Sequence, residues 1–419
     1  MTVRHRATRR LLCAGALALA VAAPAACIGQ PGDARTTSTT ASGGPTTSAS
    51  TSATPSSPTA SSSTTASSTA TQARSCGERL AAAMTPAERA GQLLMVALQS
   101  GASVSRLASQ VRAQHLGGVV FRGGWDVGAP SISRVTATLQ VGSGPGLLVA
   151  ADQEGGTVQQ LGGPGFARIP STRTQATLGT ATEERDARGW AKQLEAAGVN
   201  VNLAPVADTV PTSLGARNAP IGRYQRDFAP GNPQTNARYA AAFVRGTLAA
   251  GVAPTLKHFP GLGRVTGNTD ATSTGTTDPT TTATDPYLVP FATGIRAGAP
   301  LVMVSSARYP RIDPDTLAMF SSAVVTDLLR GRLGFRGVVI TDDVGVAKAV
   351  ASVPVGQRAT RFIAAGGDIV LTARPSQAPV MLAAIAAKRA GSKAFAAQVD
   401  AAAGRVLDLK VALGLARCG

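Results

Sequence analysis

Short apolar runs recur along the chain from residue 93 onward, and polar or helical segments separate them. Seven runs are continuously apolar, which is typical of strands that are buried on both faces of a parallel sheet. They are Gly117–Phe121, Leu147–Ala151, Val199–Ala204, Ala253–His258, Leu301–Ser305, Val338–Thr341 and Asp368–Thr372. A possible eighth strand, Leu93–Leu98, precedes them.

Amphipathic or alanine-rich stretches lie between these runs and predict helices. They are Val104–Ala113, Thr182–Ala197, Pro233–Ala250, Ser321–Leu333 and Pro354–Ala365, and Phe395–Leu415 predicts a helix that closes the domain. Alternating strands and helices indicate βαβ units, and eight strands predict a single-domain α/β fold, a (β/α)₈ TIM-type barrel. A doubly wound open sheet is the alternative, but no G-x-G-x-x-G or Walker motif accompanies the runs.

The first 73 residues lack this alternation. Basic residues up to Arg10 precede the apolar stretch Leu11–Ala26, which is short for a membrane span, so residues 1–27 predict a signal peptide. The end of this segment, Pro24-Ala25-Ala26-Cys27, resembles a bacterial lipobox, in which Cys27 would be acylated; an ordinary secretory signal is the alternative. Residues 28–73 are almost wholly Ser, Thr, Ala, Pro and Gly and predict a disordered linker, which leaves residues 74–419 for the barrel.

Composition and net charge limit the classes of binding partner that we expect. Hydrophobic residues make up 44% of the 419 residues, enough for a sizeable core, but aromatic residues make up only 4%, so Ala, Val, Leu and Ile must fill it. The formal net charge of +17 is scattered rather than clustered, which suits an anionic cell envelope. We expect no nucleic-acid partner, because no nucleic-acid-binding motif accompanies the charge.

Two cysteines remain outside the signal region, Cys76 and Cys418, one at each end of the predicted barrel. An exported protein meets oxidising conditions, and a TIM barrel brings its first and last elements together. The two cysteines are therefore expected to form a disulfide, with two free thiols as the alternative.

Polar residues follow the apolar runs where the strands end. These residues include Asp152 and Glu154, Asp208, Lys257 and His258, Ser305 and Ser306, and Asp342 and Asp343. The carboxyl ends of barrel strands form the active-site face, so carboxylates, a lysine and a histidine should converge there, as in a glycosidase. A metal site is not expected, since the chain has only three histidines and no pair at ligand spacing.

Five of these segments, in this order, resemble glycoside hydrolase family 3, in particular its single-domain NagZ-like β-N-acetylglucosaminidases and their actinobacterial lipoprotein members. The resemblance covers nearly all of 76–419. Its segments are Gly91-Gln92-Leu93-Leu94-Met95, Asp152-Gln153-Glu154-Gly155-Gly156, Leu203-Ala204-Pro205-Val206-Ala207-Asp208, Lys257-His258-Phe259-Pro260-Gly261 and Ile340-Thr341-Asp342-Asp343.

The resemblance implies a role for several residues. Asp342 matches the nucleophile, which forms a covalent glycosyl-enzyme with retention of configuration. The residues implied to bind the sugar are Asp152, Lys257, His258 and Arg226. The spacer Arg223-Tyr224-Gln225, just before Arg226, looks inserted relative to the family. Asp343 is expected to cap the following segment, and Asp208 to support the barrel rim.

One loop departs from the family pattern. The family follows Lys-His-Phe-Pro-Gly with His-Gly and a loop Asp-x-His whose histidine is the acid/base, but this chain has Leu262-Gly263 and then Asn268-Thr269-Asp270-Ala271-Thr272. An ungapped alignment puts Asp270 on the missing histidine; a gapped one puts it on the loop aspartate and Thr272 on the histidine. We expect Asp270 to be the acid/base. Its long loop, 261–286, is typical of a lid or a disordered segment, and a solvated loop carboxylate is the alternative.

These observations predict an exported, lipid-anchored, monomeric enzyme on the outer face of the cell membrane, or a secreted one. It would be an exo-acting retaining β-N-acetylhexosaminidase that acts on N-acetylglucosamine-containing cell-wall fragments without a metal, nucleotide or flavin. The alternatives are a non-catalytic sugar-binding lipoprotein and a family 3 β-glycosidase of another specificity.

Overall fold

The computed structural model of the protein describes residues 74–142 and 144–418. The predicted signal peptide, the linker and the lipidation site Cys27 lie outside the described residues. In the part of the chain that the structure describes, no helix is long and apolar enough to span a membrane.

Eight parallel strands form the central sheet, in the order β7-β6-β5-β4-β3-β2-β1-β8. They are β1 Leu94–Gln99, β2 Gly118–Arg122, β3 Leu148–Ala151, β4 Val201–Asn202, β5 Ala253–Phe259, β6 Leu301–Val304, β7 Val338–Thr341 and β8 Val370–Thr372. A bridge from Ile340 to Ile369 joins β7 to the start of β8 and closes the barrel. The (β/α)₈ TIM-type barrel predicted from the sequence is thereby confirmed.

Helices cover the outside of this barrel. They are α1 Cys76–Ala83, α2 Pro86–Gln92, α3 Val104–Gln114, α4 Ala129–Gln140, α5 Thr172–Gln175, α6 Thr180–Ala196, α7 Pro233–Leu248, α8 Val289–Arg296, α9 Val355–Ala364, α10 Ala378–Gly391 and α11 Lys393–Ala412. A π-helical segment, Ala323–Arg332, stands between β6 and β7, where the sequence predicts an ordinary helix. Strands β2, β3, β6 and β7 are almost entirely buried, because helices cover one face and the barrel interior covers the other.

Two strands are shorter than the sequence predicts, and polar or proline residues explain both. The run Val199–Ala204 contains only β4, because Pro205 follows and has no N–H to donate to the neighbouring strand. The run that starts at Asp368 reaches strand geometry only at Val370. The buried Asp368 carboxylate instead accepts hydrogen bonds from Val339 N at 2.7 Å and Arg330 Nη2 at 2.6 Å.

Several elements have no counterpart in the apolar pattern. They include helices α1, α2, α4, α5, α8 and α10, the hairpin of Gln153–Gly155 with Val158–Gln159, and the hairpin of Arg308–Tyr309 with Asp313–Leu317. The first hairpin follows the carboxyl end of β3 and forms part of the wall of the site described below.

The two ends of the barrel domain meet where α11 packs on α1. Asp408 accepts hydrogen bonds from Ser75 Oγ at 2.7 Å and Gly77 N at 2.6 Å. The contact requires a glycine at position 77, because a Cβ there would lie 2.1 Å from the carbonyl oxygen of Gly404. A disulfide joins Cys76 to Cys418 across this junction, with their Cα atoms 5.7 Å apart.

Candidate active site

A cavity of about 270 Å³ opens at the carboxyl ends of the strands. Its lining brings together every catalytic and sugar-binding residue suggested by the sequence, although they come from different strands and loops. These residues are Asp152, Arg226, Lys257, His258, Asp270 and Asp342. This end of a TIM-type barrel is where such enzymes carry their active sites.

The floor of the cavity is built around Lys257, whose side chain is only 2% exposed at the end of β5. Its Nζ lies 2.6 Å from Asp152 Oδ1 and 2.6 Å from Glu154 Oε1. Arg122 Nη1, at the end of β2, lies 3.2 Å from the other Asp152 oxygen. Buried charges are stable only when they are paired and hydrogen-bonded, and here each carboxylate has a cation.

Glu154 links a third cation, Arg226, to this network. Arg226 holds Glu154 with two parallel hydrogen bonds, Nε to Oε2 and Nη2 to Oε1, each 2.8 Å long. Such a bidentate pair fixes the plane of the guanidinium. The sequence places Glu154 in a motif but gives it no role, and its ion pairs with Lys257 and Arg226 become visible only in the structure.

His258 is oriented by Asp208, which is fully buried. His258 Nδ1 lies 2.7 Å from Asp208 Oδ2, and Asp208 Oδ1 accepts hydrogen bonds from the backbone nitrogens of His258 and Leu262. Because Arg226 Nη2 faces His258 Nε2 at 3.4 Å and can only donate, the proton belongs on Nδ1. Asp208 thus fixes the tautomer and the ring orientation of a residue that lines the cavity.

The floor keeps its carboxylates ionised. Burial alone would raise the pKa of Asp152, but the charges of Lys257 and Arg122 outweigh it and lower this pKa to about 2. Burial likewise opposes ionisation of Glu154, and Arg226 and Lys257 lower its pKa. The two carboxylates in turn raise the pKa of Lys257 against the effect of its burial. The floor is therefore a set of permanent, mutually paired charges.

Asp342 and Asp343 follow β7 and have different surroundings. Asp342 lines the cavity and is half-buried, and its Oδ1 accepts a hydrogen bond from Asp343 N at 2.8 Å. Asp343 is buried and accepts hydrogen bonds from Gly345 N at 2.7 Å and Ala373 N at 2.8 Å. Asp343 therefore ties the turn after β7 to the end of β8, while the Asp342 carboxylate remains accessible from the cavity.

The loop after β5 carries three carboxylates, and only Asp270 among them lines the cavity. Asp278 is buried and accepts hydrogen bonds from Thr280 and Thr281, and Asp285 pairs with Arg264 at 2.7 Å. The loop has little regular structure, but it packs beside the segment that follows β7, where Lys348 N donates to Asp270 O at 3.2 Å.

The side chain of Asp270 is exposed, and the space to which it is exposed is the cavity. The walls of the cavity surround it. Partial burial and the negative charge of Asp342 raise the pKa of Asp270 to about 6, against the opposing charge of Arg122. A carboxyl group whose pKa is raised toward neutral pH, placed beside a second cavity carboxylate, is an arrangement that acid/base catalysis can use. Among the described residues, no group of three His, Cys, Asp or Glu side chains is arranged to hold a metal ion.

Comparisons with known proteins show which family the chain resembles. The model of the glycosyl hydrolase family 3 N terminal domain matches residues 85–409. A β-hexosaminidase of Xylella fastidiosa is 36% identical over 271 residues, which cover 63% of this chain and 78% of the relative.

Two solved structures extend the likeness. The β-N-acetylhexosaminidase from Beutenbergia cavernae shares 46% sequence identity at a TM-score of 0.74, covering 78% of this chain and 99% of that one. The family 3 β-N-acetylglucosaminidase from a Paenibacillus species shares 27% identity at a TM-score of 0.68, covering 80% of this chain and 64% of that one.

Proposed function

Because the chain belongs to glycoside hydrolase family 3, we propose that this glycoside hydrolase releases β-linked N-acetylglucosamine from the non-reducing ends of glycans. The relatives named above as hexosaminidases support this choice of sugar. The closed floor supports exo action, since Lys257 and its carboxylate partners block further passage of a glycan chain.

The observation that carries the proposal is the pairing of Asp342 with Asp270 in one cavity. Asp342 would attack the anomeric carbon while the protonated carboxyl of Asp270 gives its proton to the leaving oxygen. This step forms an ester between Asp342 and the sugar. Asp270, now a carboxylate, would then remove a proton from a water molecule, which attacks the anomeric carbon, breaks the ester and leaves the configuration retained.

The floor would hold the sugar during both steps. Carboxylate oxygens of Asp152 accept hydrogen bonds from sugar hydroxyls, while Lys257 and Arg226 donate them. His258, protonated on Nδ1, would accept a hydrogen bond from a sugar hydroxyl at Nε2 in place of the long 3.4 Å contact from Arg226 Nη2. The permanent charges of this floor would orient the sugar without taking part in proton transfer.

The natural substrate and location are part of the same proposal. We infer that the substrate is a cell-wall fragment, and the net charge of +17 supports contact with an anionic envelope. Signal-like residues 1–27 and the lipobox-like end at Cys27 support an exported lipoprotein of the actinobacterial type, held as a monomer on the outer face of the membrane.

The test measures hydrolysis of an aryl N-acetyl-β-glucosaminide and of the matching β-glucoside by the full chain. We expect hydrolysis of the N-acetylated substrate alone, and a loss of at least about 10³-fold in Asp342→Ala. The exposed Asp315, outside the cavity, provides a matched control as Asp315→Ala, which should keep full activity.

Equal hydrolysis of both substrates would indicate a family 3 β-glycosidase of another specificity. A folded chain that binds N-acetylglucosamine but hydrolyses neither substrate would indicate a sugar-binding lipoprotein. Activity retained in Asp342→Ala would overturn the assignment of the nucleophile.

A further inference from the structure

The spacer Arg223-Tyr224-Gln225 departs from the family pattern and is not used by the chemistry described above. In the structure, a 3₁₀ turn, Gly222–Tyr224, places Tyr224 in the lining of the cavity. The residue is 43% exposed, whereas the lysine on the cavity floor is 2% exposed. Tyr224 therefore lies at the mouth of the cavity rather than at its floor.

The turn that carries Tyr224 is held firmly from both sides. On the preceding side, Asn218 Oδ1 accepts hydrogen bonds from Ile221 N at 2.9 Å and Gly222 N at 2.7 Å. On the following side, Thr172 Oγ1 donates to Gln225 O at 3.0 Å. The backbone then runs two residues from Tyr224 to Arg226, which is anchored on the floor. One wall thus connects the floor to the mouth.

We propose that Tyr224 forms the binding site for the leaving-group sugar and makes the enzyme prefer a saccharide over a small alkyl group at that position. This inference rests on the proposed function, because a cavity closed at its floor leaves only the mouth for the group beyond the cleaved bond. The apolar face of a pyranose ring packs on an aromatic face, and a tyrosine presents such a face at low conformational cost. Covering roughly 60 Å² of apolar surface corresponds to about a tenfold gain in affinity.

The experiment compares two substrates that differ in the ring of the leaving group. One is the β-1,4-linked disaccharide of N-acetylglucosamine, and the other is methyl N-acetyl-β-glucosaminide. Both leaving groups are alcohols that need a proton, so a change in acid catalysis affects both alike. For Tyr224→Ala, we expect the ratio of kcat/KM for the disaccharide to kcat/KM for the methyl glycoside to fall about tenfold.

Two further variants make the test specific. Tyr224→Phe keeps the aromatic ring and should keep the ratio of the two kcat/KM values. If this ratio instead falls as far as in Tyr224→Ala, the hydroxyl group is responsible and the stacking proposal is overturned. Arg223→Ala changes an exposed neighbour on the same turn, outside the cavity lining, and should also keep the ratio.

The remaining outcomes separate this inference from the proposed function. A parallel loss on both substrates in Tyr224→Ala, or no loss on either, would overturn the leaving-group site while leaving the activity in place. A wild-type chain that hydrolyses neither substrate would overturn the proposed function and this inference together.

Discussion

Asp152 and Asp270 face the same cavity, yet protein surroundings move their pKa values in opposite directions, to about 2 and about 6. Burial disfavours the charged form of both. At the floor, two cations reverse that effect, whereas at the mouth a second carboxylate, Asp342, adds to it. The comparison shows that the charge partner, rather than depth alone, decides whether a cavity carboxyl group stays ionised or can hold a proton near neutral pH.

The largest expected effect comes from Lys257→Met, which removes the central cation from the charge network of the cavity floor. This change leaves Asp152 and Glu154 buried without the lysine that bridges them, and loss of one partner from a buried pair costs about 3–5 kcal/mol. We expect a free energy of unfolding lower by about that amount in urea denaturation. The kcat/KM of the folded fraction should fall by roughly 10³-fold, because the sugar loses a charged hydrogen-bond donor.

The same substitution at Lys410 is the matched control. Lys410 is also fully buried, but its Nζ donates to Gln92 Oε1 at 2.6 Å, and no carboxylate pairs with it among the described residues. Burial without a countercharge lowers the pKa of Lys410 to about 7. Lys410→Met should leave stability near pH 7 equal or increased and activity unchanged. Equal destabilisation by both variants would contradict the importance of the floor's charge pairing.

At the mouth, Asp270→Asn removes the proposed proton donor. For a disaccharide, which has a poor leaving group, kcat/KM should fall by roughly 10²-fold or more, and an aryl glycoside should lose much less. The raised pKa of Asp270 means that the protonated acid is present below about pH 6 and is lost as the pH rises through that value. The wild-type kcat/KM for the disaccharide should therefore decline above about pH 6, and the variant should lack this limb.

Two results would count against the role of Asp270. One is an equal loss on both substrates, which would indicate a role in binding. The other is a basic limb that persists unchanged in Asp270→Asn, since another group would then donate the proton.

The sequence predicts the strands within about two residues of their bounds in most cases, and the reason is physical. Most are largely apolar runs, because a strand between the barrel interior and the helices has no solvated face. The hairpin Gln153–Gly155 is missed because its residues are polar and bury their groups through specific hydrogen bonds, such as Gln153 Nε2 to Leu161 O at 2.9 Å.

The residues of the candidate site likewise fall into two groups, those that the sequence predicts and those that only the structure reveals. The motif residues Asp152, Lys257 and Asp342 follow from their positions at strand ends, which the barrel brings together. The roles of Glu154 and Arg122 depend on ion pairs with residues distant in sequence, as between Glu154 and Arg226, which are 72 positions apart. No local pattern encodes such a pairing, and the choice of Asp270 among the loop's three aspartates comes from the resemblance to the family rather than from a local pattern.

The smallest expected effect concerns a carboxylate that has neither a cation nor a catalytic neighbour. Glu183, in the first turn of α6, is 1% exposed, and its Oε1 has no hydrogen-bond partner among the described residues. Burial and the charge of Asp186 raise the pKa of Glu183 to about 8. Burial and a neighbouring negative charge, the two factors that raise the pKa of Asp270, thus also raise the pKa of a carboxyl group that lies outside the cavity lining.

Glu183→Gln keeps the shape of the side chain and removes the titration. The folded wild type holds a proton on Glu183 that the unfolded chain releases above about pH 4.3, so its free energy of unfolding falls as the pH rises from there to about 8. We expect the variant to match the wild type near pH 4 and to be more stable by about 1–3 kcal/mol at pH 8. Urea denaturation at pH 4, 6 and 8 measures this difference. A stability difference that is the same at all three pH values would mean that Glu183 is ionised in the folded protein, and that burial without a cation is not enough to hold a carboxyl group neutral here.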